Sequence, residues 1–363
     1  MDYVDLLYEL VSIYSPSGCE STLADRIRVW LTSDLSADSS YIDAAGNVIG
    51  IYEGTEPSIL LCGHLDTVVG ELPTQRNEQF ISGRGAVDAK SPMAAFLCAA
   101  HELKEGSFRN KIIVAGVVGE EDTGNGIKEL IRGGCRPSYV VFGEPCSLTN
   151  IVIGYRGGLR LSLSFETSSY HSSSPWLGKS AVDAAIELWT SIKRYNDEAQ
   201  KKEKKFGTIS ACLTKISGGE SHNMSPSSCK MTVDVRFPPS VESEEVVEKI
   251  KVEAEHICEE KIGFRMEVED FTPAYTAPVN SQLVKAFKAS ILKVKGKNAM
   301  LVRKTGSGDM NIYGKEVGVP SITYGPGNSK LSHTPYERVE IREYLDSIEV
   351  LKEAIINVCG ENK

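Results

Sequence analysis

The chain has 363 residues, of which 41% are hydrophobic and 25% charged, and it carries a formal net charge of −9. That length exceeds what one hydrophobic core normally fills, so a soluble protein of two domains is expected. The acidic balance argues against nucleic acid as a partner, because phosphate binding is driven by Lys and Arg, and no run of about 18 apolar residues offers a membrane span.

At the start, Met1-Asp2-Tyr3-Val4-Asp5 lacks the positive, apolar, small-residue order of an export signal. Nine cysteines without a CxxC pair read as reduced thiols, not as a disulfide framework or a thiolate zinc site. A cytoplasmic protein is the expectation. Apolar residues recur at helical spacing from Asp2 to Tyr14 and from Ser21 to Leu35, on either side of the breaker Ser15-Pro16-Ser17-Gly18. Runs at Asn47 to Tyr52, Ser58 to Cys62, Lys111 to Val118 and Tyr139 to Phe142 read as buried strands, alternating with helical stretches near Ser91 to Leu103 and Gly126 to Arg132. Such alternation marks an α/β domain with a mainly parallel sheet.

Around Gly154-Tyr155-Arg156-Gly157-Gly158 the pattern changes. Leu159 to Glu166 alternates apolar and polar residues, as a strand with one wet face does. A helix from Ser180 to about Asp197, strands near Thr208 to Ile216 and Ser228 to Phe237, a helix from Ser243 to Glu259 and a strand near Phe264 to Val268 follow. Two helices and four strands suit a small α+β layer of the ferredoxin-like kind. After the turn-rich Phe271 to Asn280, helices near Gln282 to Val294 and Val339 to Val358 and a strand at Pro320 to Tyr324 resume the α/β pattern. The expected organisation is a catalytic domain in two parts, 1–154 and 271–363, interrupted by an inserted domain, 155–270.

The apolar run Ile59-Leu60-Leu61-Cys62-Gly63 delivers His64 and, two residues on, Asp66 to a strand end. Alternate strand residues share a face, so this builds a metal-ligating imidazole with its own orienting carboxylate, although a capped turn uses the same residue types. Gly83-Arg84-Gly85-Ala86-Val87-Asp88-Ala89-Lys90 is a glycine-rich turn ending in an acid at a helix start; its likeness to the GxGxxG dinucleotide fingerprint fails at the sixth position, Asp88. Two further strands end in Gly119-Glu120-Glu121 and Gly143-Glu144-Pro145. Ligand sites of open α/β sheets lie at the carboxyl ends of strands, and acids gathered there repel one another, so a divalent cation is the simplest countercharge. Taken singly, each acid also reads as a helix cap or solvated turn residue. A second histidine ligand is expected at His333, in Leu331-Ser332-His333-Thr334-Pro335, whereas His101 and His256 fall on predicted helices and receive no role.

In order, HLD, GRGxxDxK, GEE, GEP and a late His resemble the motifs of the co-catalytic dizinc amidohydrolases and aminoacylases, the family of acetylornithine deacetylase, succinyl-diaminopimelate desuccinylase and glutamate carboxypeptidase. The resemblance covers nearly the whole chain. It implies a zinc-exopeptidase-like catalytic domain whose inserted domain serves dimerisation or as a lid, and two divalent ions per subunit, Zn2+ or Co2+. It implies that Asp88 bridges the ions, with His64 and Glu144 on one and Glu121 and His333 on the other; that Glu120 is the general base; and that Asp66 orients His64. Tyr170-His171-Ser172-Ser173-Ser174-Pro175 resembles the family segment whose histidine, here His171, stabilises the oxyanion in a neighbouring subunit, which implies a homodimer. Asn223, Arg236 and Gly308 lie in segments resembling those that contact substrate. The chain departs from the pattern at Ser91-Pro92, where a glycine is common after the lysine, and at Ala89, where many members carry an acid or Asn; neither change removes a ligand.

A carboxylate that shuttles a proton cannot also be a tight ligand, so adjacent Glu120 and Glu121 suit two jobs. Within the family, Gly83 to Lys90, Thr305 to Asn311 and Tyr324 to Lys330 look most like the archaeal hydrolases that release lysine or ornithine from the amino-group carrier protein LysW. That likeness implies a carrier glutamate γ-amide as substrate, a place in lysine or arginine biosynthesis and an acidic protein partner. Lys193, Arg194, Lys201, Lys202, Lys204 and Lys205 would steer such a partner, or are the solvated end of a helix. Two other readings stand beside this one: a deacylase of free N-acetylornithine or N-acetyl-lysine, and an inactive metal-binding scaffold, which would have no need of Glu120.

Overall fold

The computed structural model describes residues 2–202, 205–259 and 261–360, and for 199–202 the backbone alone. Two compact units emerge: one runs up to Gly154 and includes Ala277–Arg303 and the chain from Ile312 onward, the other comprises Tyr155–Thr276 and Lys304–Asn311.

The first unit opens with helices α1 (Tyr3–Ser12) and α2 (Ser21–Ser33). Asp2 caps α1 by accepting from the amides of Val4 and Asp5. Strands β1 (Ser39–Ile42), β2 (Val48–Tyr52), β3 (Thr55–His64), β4 (Gln75–Arg76) and β5 (Phe80–Ser82) lead to helix α3 (Lys90–Glu105), then β6 (Asn110–Val117), α4 (Asn125–Arg132), β7 (Tyr139–Gly143) and β8 (Asn150–Tyr155). The second unit contributes β9 (Gly157–Glu166), α5 (Ala181–Lys202), β10 (Ser210–Gly218), β11 (Ser228–Phe237), α6 (Ser243–Cys258), β12 (Gly263–Thr272) and β13 (Tyr275–Thr276). The chain closes with α7 (Gln282–Lys295), β14 (Met300–Lys304), α8 (Asp309–Val317), β15 (Ser321–Thr323), β16 (Arg338–Glu340) and α9 (Ile341–Cys359).

In the first unit the main sheet runs β1-β2-β6-β3-β7-β15-β8. Its centre, β6-β3-β7-β15, is parallel, and antiparallel strands flank it. Strands covered on both faces read as continuous apolar runs, as Ile59, Leu60, Leu61, Val140 and Val141 do here, all buried. Helix α3 presses onto this centre: a Cβ on Gly143 would stand 2.7 Å from the Phe96 ring and 3.1 Å from Pro92, so only a glycine admits the helix. Register decides the rest. Gly63 pairs with Gly116 on one side and Gly143 on the other, and His64 with Val117, so three neighbouring strands end level.

A small antiparallel sheet, β16-β5-β4, joins the late chain to the turn before α3. The second unit is an antiparallel sheet, β10-β11-β9-β12, in the order β-α-β-β-α-β that defines a ferredoxin-like layer. Leu159, Leu161, Leu163 and Phe165 of β9 face its core with Ala184 and Leu188 of α5 and Ile250 and Ala254 of α6. Residues 304–311, from the end of β14 into the start of α8, group with this unit, where Asn311 Nδ2 donates to the carbonyls of Arg156 (3.1 Å) and Pro273 (2.6 Å). Pattern reading passes over β8, β14 and α8, elements whose burial depends on what lies beside them. Among the described residues no helix is long and apolar enough to cross a membrane.

Candidate metal centre

The level strand ends place three of the expected groups side by side. His64 closes β3 and is 2% exposed; its Nδ1 lies 2.9 Å from the Asp66 carbonyl oxygen, an atom that only accepts, so Nδ1 carries the proton and Nε2 points into the site. Nε2 stands 3.2 Å from Asp88 Oδ1 and 3.5 Å from Glu144 Oε1, just past the end of β7. Asp88 turns its other oxygen the opposite way: Oδ2 is 3.3 Å from His333 Nε2, which also meets Glu121 Oε1 at 2.7 Å. Three groups of potential ligands follow, His64/Asp88/Glu144, Asp88/Glu121/His333 and His64/Glu120/Glu121. Asp88 belongs to the first two, with one oxygen in each.

Local geometry explains these directions. Gly119 takes φ +70°, and a Cβ there would meet Asn125 Oδ1 at 2.3 Å, so the chain turns sharply after β6 and swings Glu120 and Glu121 over the strand end. His333 is itself left-handed, φ 61°, a conformation that costs a non-glycine residue about 1–2 kcal/mol and is retained where function or packing demands it. Two atoms each about 2.0–2.2 Å from one tetrahedral ion lie roughly 3.3–3.6 Å apart. The separations of 3.2, 3.5 and 3.3 Å fit that requirement, while the 2.7 Å contact is a direct hydrogen bond.

Similarity to known proteins agrees with the geometry. The profile of peptidase family M20/M25/M40 matches residues 60–357. The chain belongs to that family. A Sulfurisphaera tokodaii protein named [LysW]-lysine/[LysW]-ornithine hydrolase is 33% identical over 364 residues, covering 99% of this chain and 96% of its own. A Pyrococcus furiosus protein, provisionally given the same name, is 36% identical over 360 residues, covering 99% and 98%. The fold is shared with the M20 family metallo-carboxypeptidase of Sulfolobus solfataricus, with a TM-score of 0.78 at 17% identity over 99% of each chain. This M20 chain is a metal-dependent amidohydrolase.

Electrostatics of the M20 centre follow from crowding. Burial alone would lower the His64 pKa, but Asp66 and Asp88 override it and hold the imidazole well above its ordinary value. His333 is raised to about 9, first by its hydrogen bond with Asp88. Asp88 is depressed despite burial because both imidazoles face it, whereas burial pushes Glu121 up. A cation held among these groups would compete with protons for the same atoms.

Asp66 touches more than the His64 ring. Its fully buried carboxylate lies 3.5 Å from His64 Nδ1 through Oδ1, so the nearer contact to the ring is made by its main chain. The carboxylate itself accepts from the amides of Glu120 and Glu121, 3.0 Å each, and from Ser17 Oγ at 2.7 Å. Burial opposes ionisation, but His64 and Ser17 reverse that and hold its pKa at about 2.

Sequence reasoning missed three supporting side chains. Glu20, 6% exposed, accepts from the Gly119 amide at 3.1 Å and steadies the turn before Glu120. Lys90 buries its ammonium against the Ile13 carbonyl at 2.5 Å, and burial lowers its pKa to about 7. Glu337, 2% exposed, accepts from the amides of Val87 and Asp88. A late Glu four residues after His333 was the available signal, and it is too common to be specific.

His171, Asn223, Arg236 and Gly308 belong to the second unit. Exposed His171 receives the Ser173 amide on Nδ1 at 3.1 Å, and its loop bridges to Met224, the neighbour of Asn223. Asn223 Oδ1 takes the Ser221 hydroxyl at 2.6 Å. Arg236, expected to suit a substrate carboxylate, lays its fork on Asp234 instead, 2.8 and 3.0 Å, and reaches Ser307 at 2.8 Å. The Gly308 amide donates to Asn311 Oδ1 at 3.0 Å. Of the basic cluster, Lys193 pairs with Asp197 at 2.8 Å, while Lys204 and the side chains of Lys201 and Lys202 lie outside the described residues.

Proposed function

We propose that this enzyme hydrolyses the amide between the γ-carboxyl of a carrier-protein glutamate and the α-amino group of lysine or ornithine, in cytoplasmic lysine or arginine biosynthesis. Two zinc ions would be held by His64, Asp88 and Glu144 and by Asp88, Glu121 and His333. The observation that carries the metal assignment is Asp88, whose two oxygens face two different histidines at 3.2 and 3.3 Å. Near full-length likeness to proteins named for LysW-linked substrates supports the choice of amide.

Metal ions bound there supply Lewis acidity and a water of lowered pKa. Glu120, half-buried beside Glu121, takes a proton from the attacking water at a carboxylate oxygen and returns it to the departing α-nitrogen as the C–N bond breaks. Asp66 aims Glu120 and Glu121 through their amides. Because His171 accepts the Ser173 N–H on Nδ1, its neutral ring carries the proton on Nε2, ready to donate to a carbonyl oxygen gaining charge. That donation serves the partner's site in a homodimer. From the second unit, Asn223, Arg236 and Gly308 would contact the substrate, each held within that unit by Ser221, Asp234 and Asn311 respectively.

The deciding experiment compares kcat/KM on carrier-linked lysine, carrier-linked ornithine, N-acetylornithine and N-acetyl-lysine, with metal analysis of the same sample. Carrier-linked substrates are expected to be preferred, with two zinc ions per chain. Faster turnover of the acetylated amino acids favours the deacylase reading, and no turnover of any favours the scaffold.

A further inference from the structure

We propose that Glu337, held by Arg84, is a positioning residue that presents both oxygens of Asp88 to the two histidines; this rests on reading Asp88 as the bridging ligand. Both side chains are buried, Glu337 to 2% and Arg84 to 8% exposure. Glu337 Oε2 meets Arg84 at 2.9 Å, while Oε1 accepts from the amides of Val87 and of Asp88 itself, 3.0 Å each. Those amides lie upstream of α3, outside its hydrogen-bond ladder, so an acceptor from elsewhere in the chain must satisfy them. A pair made only to join two charges would need one carboxylate oxygen. Here the second is committed to the backbone of the ligand residue.

Arg84 widens the grip. Its Nε donates to the Gly70 carbonyl at 2.8 Å and its terminal nitrogen approaches the Thr334 carbonyl at 3.4 Å, so one guanidinium links the turn carrying Asp88, the loop after Asp66 and the residue after His333. The Gly83 amide donates to the Glu337 carbonyl at 3.2 Å, which anchors the carboxylate's own backbone. Asp88 is shared by two candidate ligand groups. Movement of its turn therefore misplaces an oxygen in both at once, and metal sites tolerate only about ±0.2 Å in ligand distance.

The test uses the full chain stripped of metal and titrated with zinc against a competing chelator, together with hydrogen exchange across residues 83–89 before zinc is added. Arg84→Met with Glu337→Gln removes both charges and keeps an amide oxygen for Val87 and Asp88; Arg84→Met with Glu337→Met removes the oxygen too. Losing both members of a buried pair leaves no unpaired charge. The first double variant is expected to bind zinc like the wild type, whereas the second loses about 10–100-fold in affinity and exchanges faster over 83–89. Wild-type affinity and exchange in the second, or equal losses in both, overturn the proposal. Asp88→Asn with undiminished zinc affinity overturns the bridging assignment instead. Should the Met/Met variant show no cooperative melt, Glu337→Asp, one methylene shorter, keeps a charge near Arg84 but draws the oxygen away from the amides, and the same two readouts decide.

Discussion

At the scale of single residues, the proposed centre would divide ligation and proton transfer between two adjacent glutamates. Glu121 meets His333 at 2.7 Å, and Asp66 holds the amides of both glutamates at 3.0 Å. Glu120→Gln preserves shape and removes the base, so zinc content should stay at the wild-type value while kcat falls by about 10²–10⁴-fold; metal analysis paired with turnover checks it, and comparable turnover refutes the base. The meeting of His64, Asp88, Glu121, Glu144 and His333 was legible because each sits in a short motif at a strand tip or turn, where local spacing sets direction. Glu337 was not legible, since the amides it serves lie 250 and 249 positions away. Arg236 shows the limit of residue-type reasoning: its fork does suit a carboxylate, and Asp234 two positions along the same strand supplies one.

Between elements, the contact that sets the site is α3 against β3 and β7. Gly143→Ala would put a methyl 2.7 Å from the Phe96 ring, and overpacking of this kind costs typically about 1–3 kcal/mol. A lower Tm and weaker zinc binding should appear together, because α3 begins two residues after Asp88. Adding Phe96→Leu should recover part of both. If stability falls while zinc affinity is untouched, the helix and the ligand turn are uncoupled. The strand-to-helix alternation that foretold a parallel sheet was readable in periodicity alone, since buried parallel strands are apolar throughout. The three-stranded sheet containing β16 was not, because strands of two or three residues carry no periodic signal.

For the whole molecule, three outcomes are expected. Stripping metal should lower the Tm, because a ligand at 1,000 times its Kd contributes about 4 kcal/mol to the folded state; thermal melts with and without chelator measure this. If His171 acts across a homodimer, mixing Glu120→Gln and His171→Ala subunits in equal amounts should restore about a quarter of wild-type activity, since half the dimers then hold one complete site; no recovery after subunit exchange places His171 outside its neighbour's chemistry. Reversing Lys201, Lys202, Lys204 and Lys205 to Glu should slow carrier-linked turnover at low salt and leave free acetylated substrates unaffected. By itself the sequence determined the chemistry on offer, two histidines and a set of strand-end acids, and the alternation that builds an α/β unit around an inserted ferredoxin-like layer, because these depend on residue type and spacing of a few positions. Only the tertiary structure decided that β3, β6 and β7 end level and that Asp88 turns one oxygen to each histidine. It also decided that buried Glu337, Glu20 and Asp66 hold the turns in place, because register and packing bring together groups that no local pattern relates.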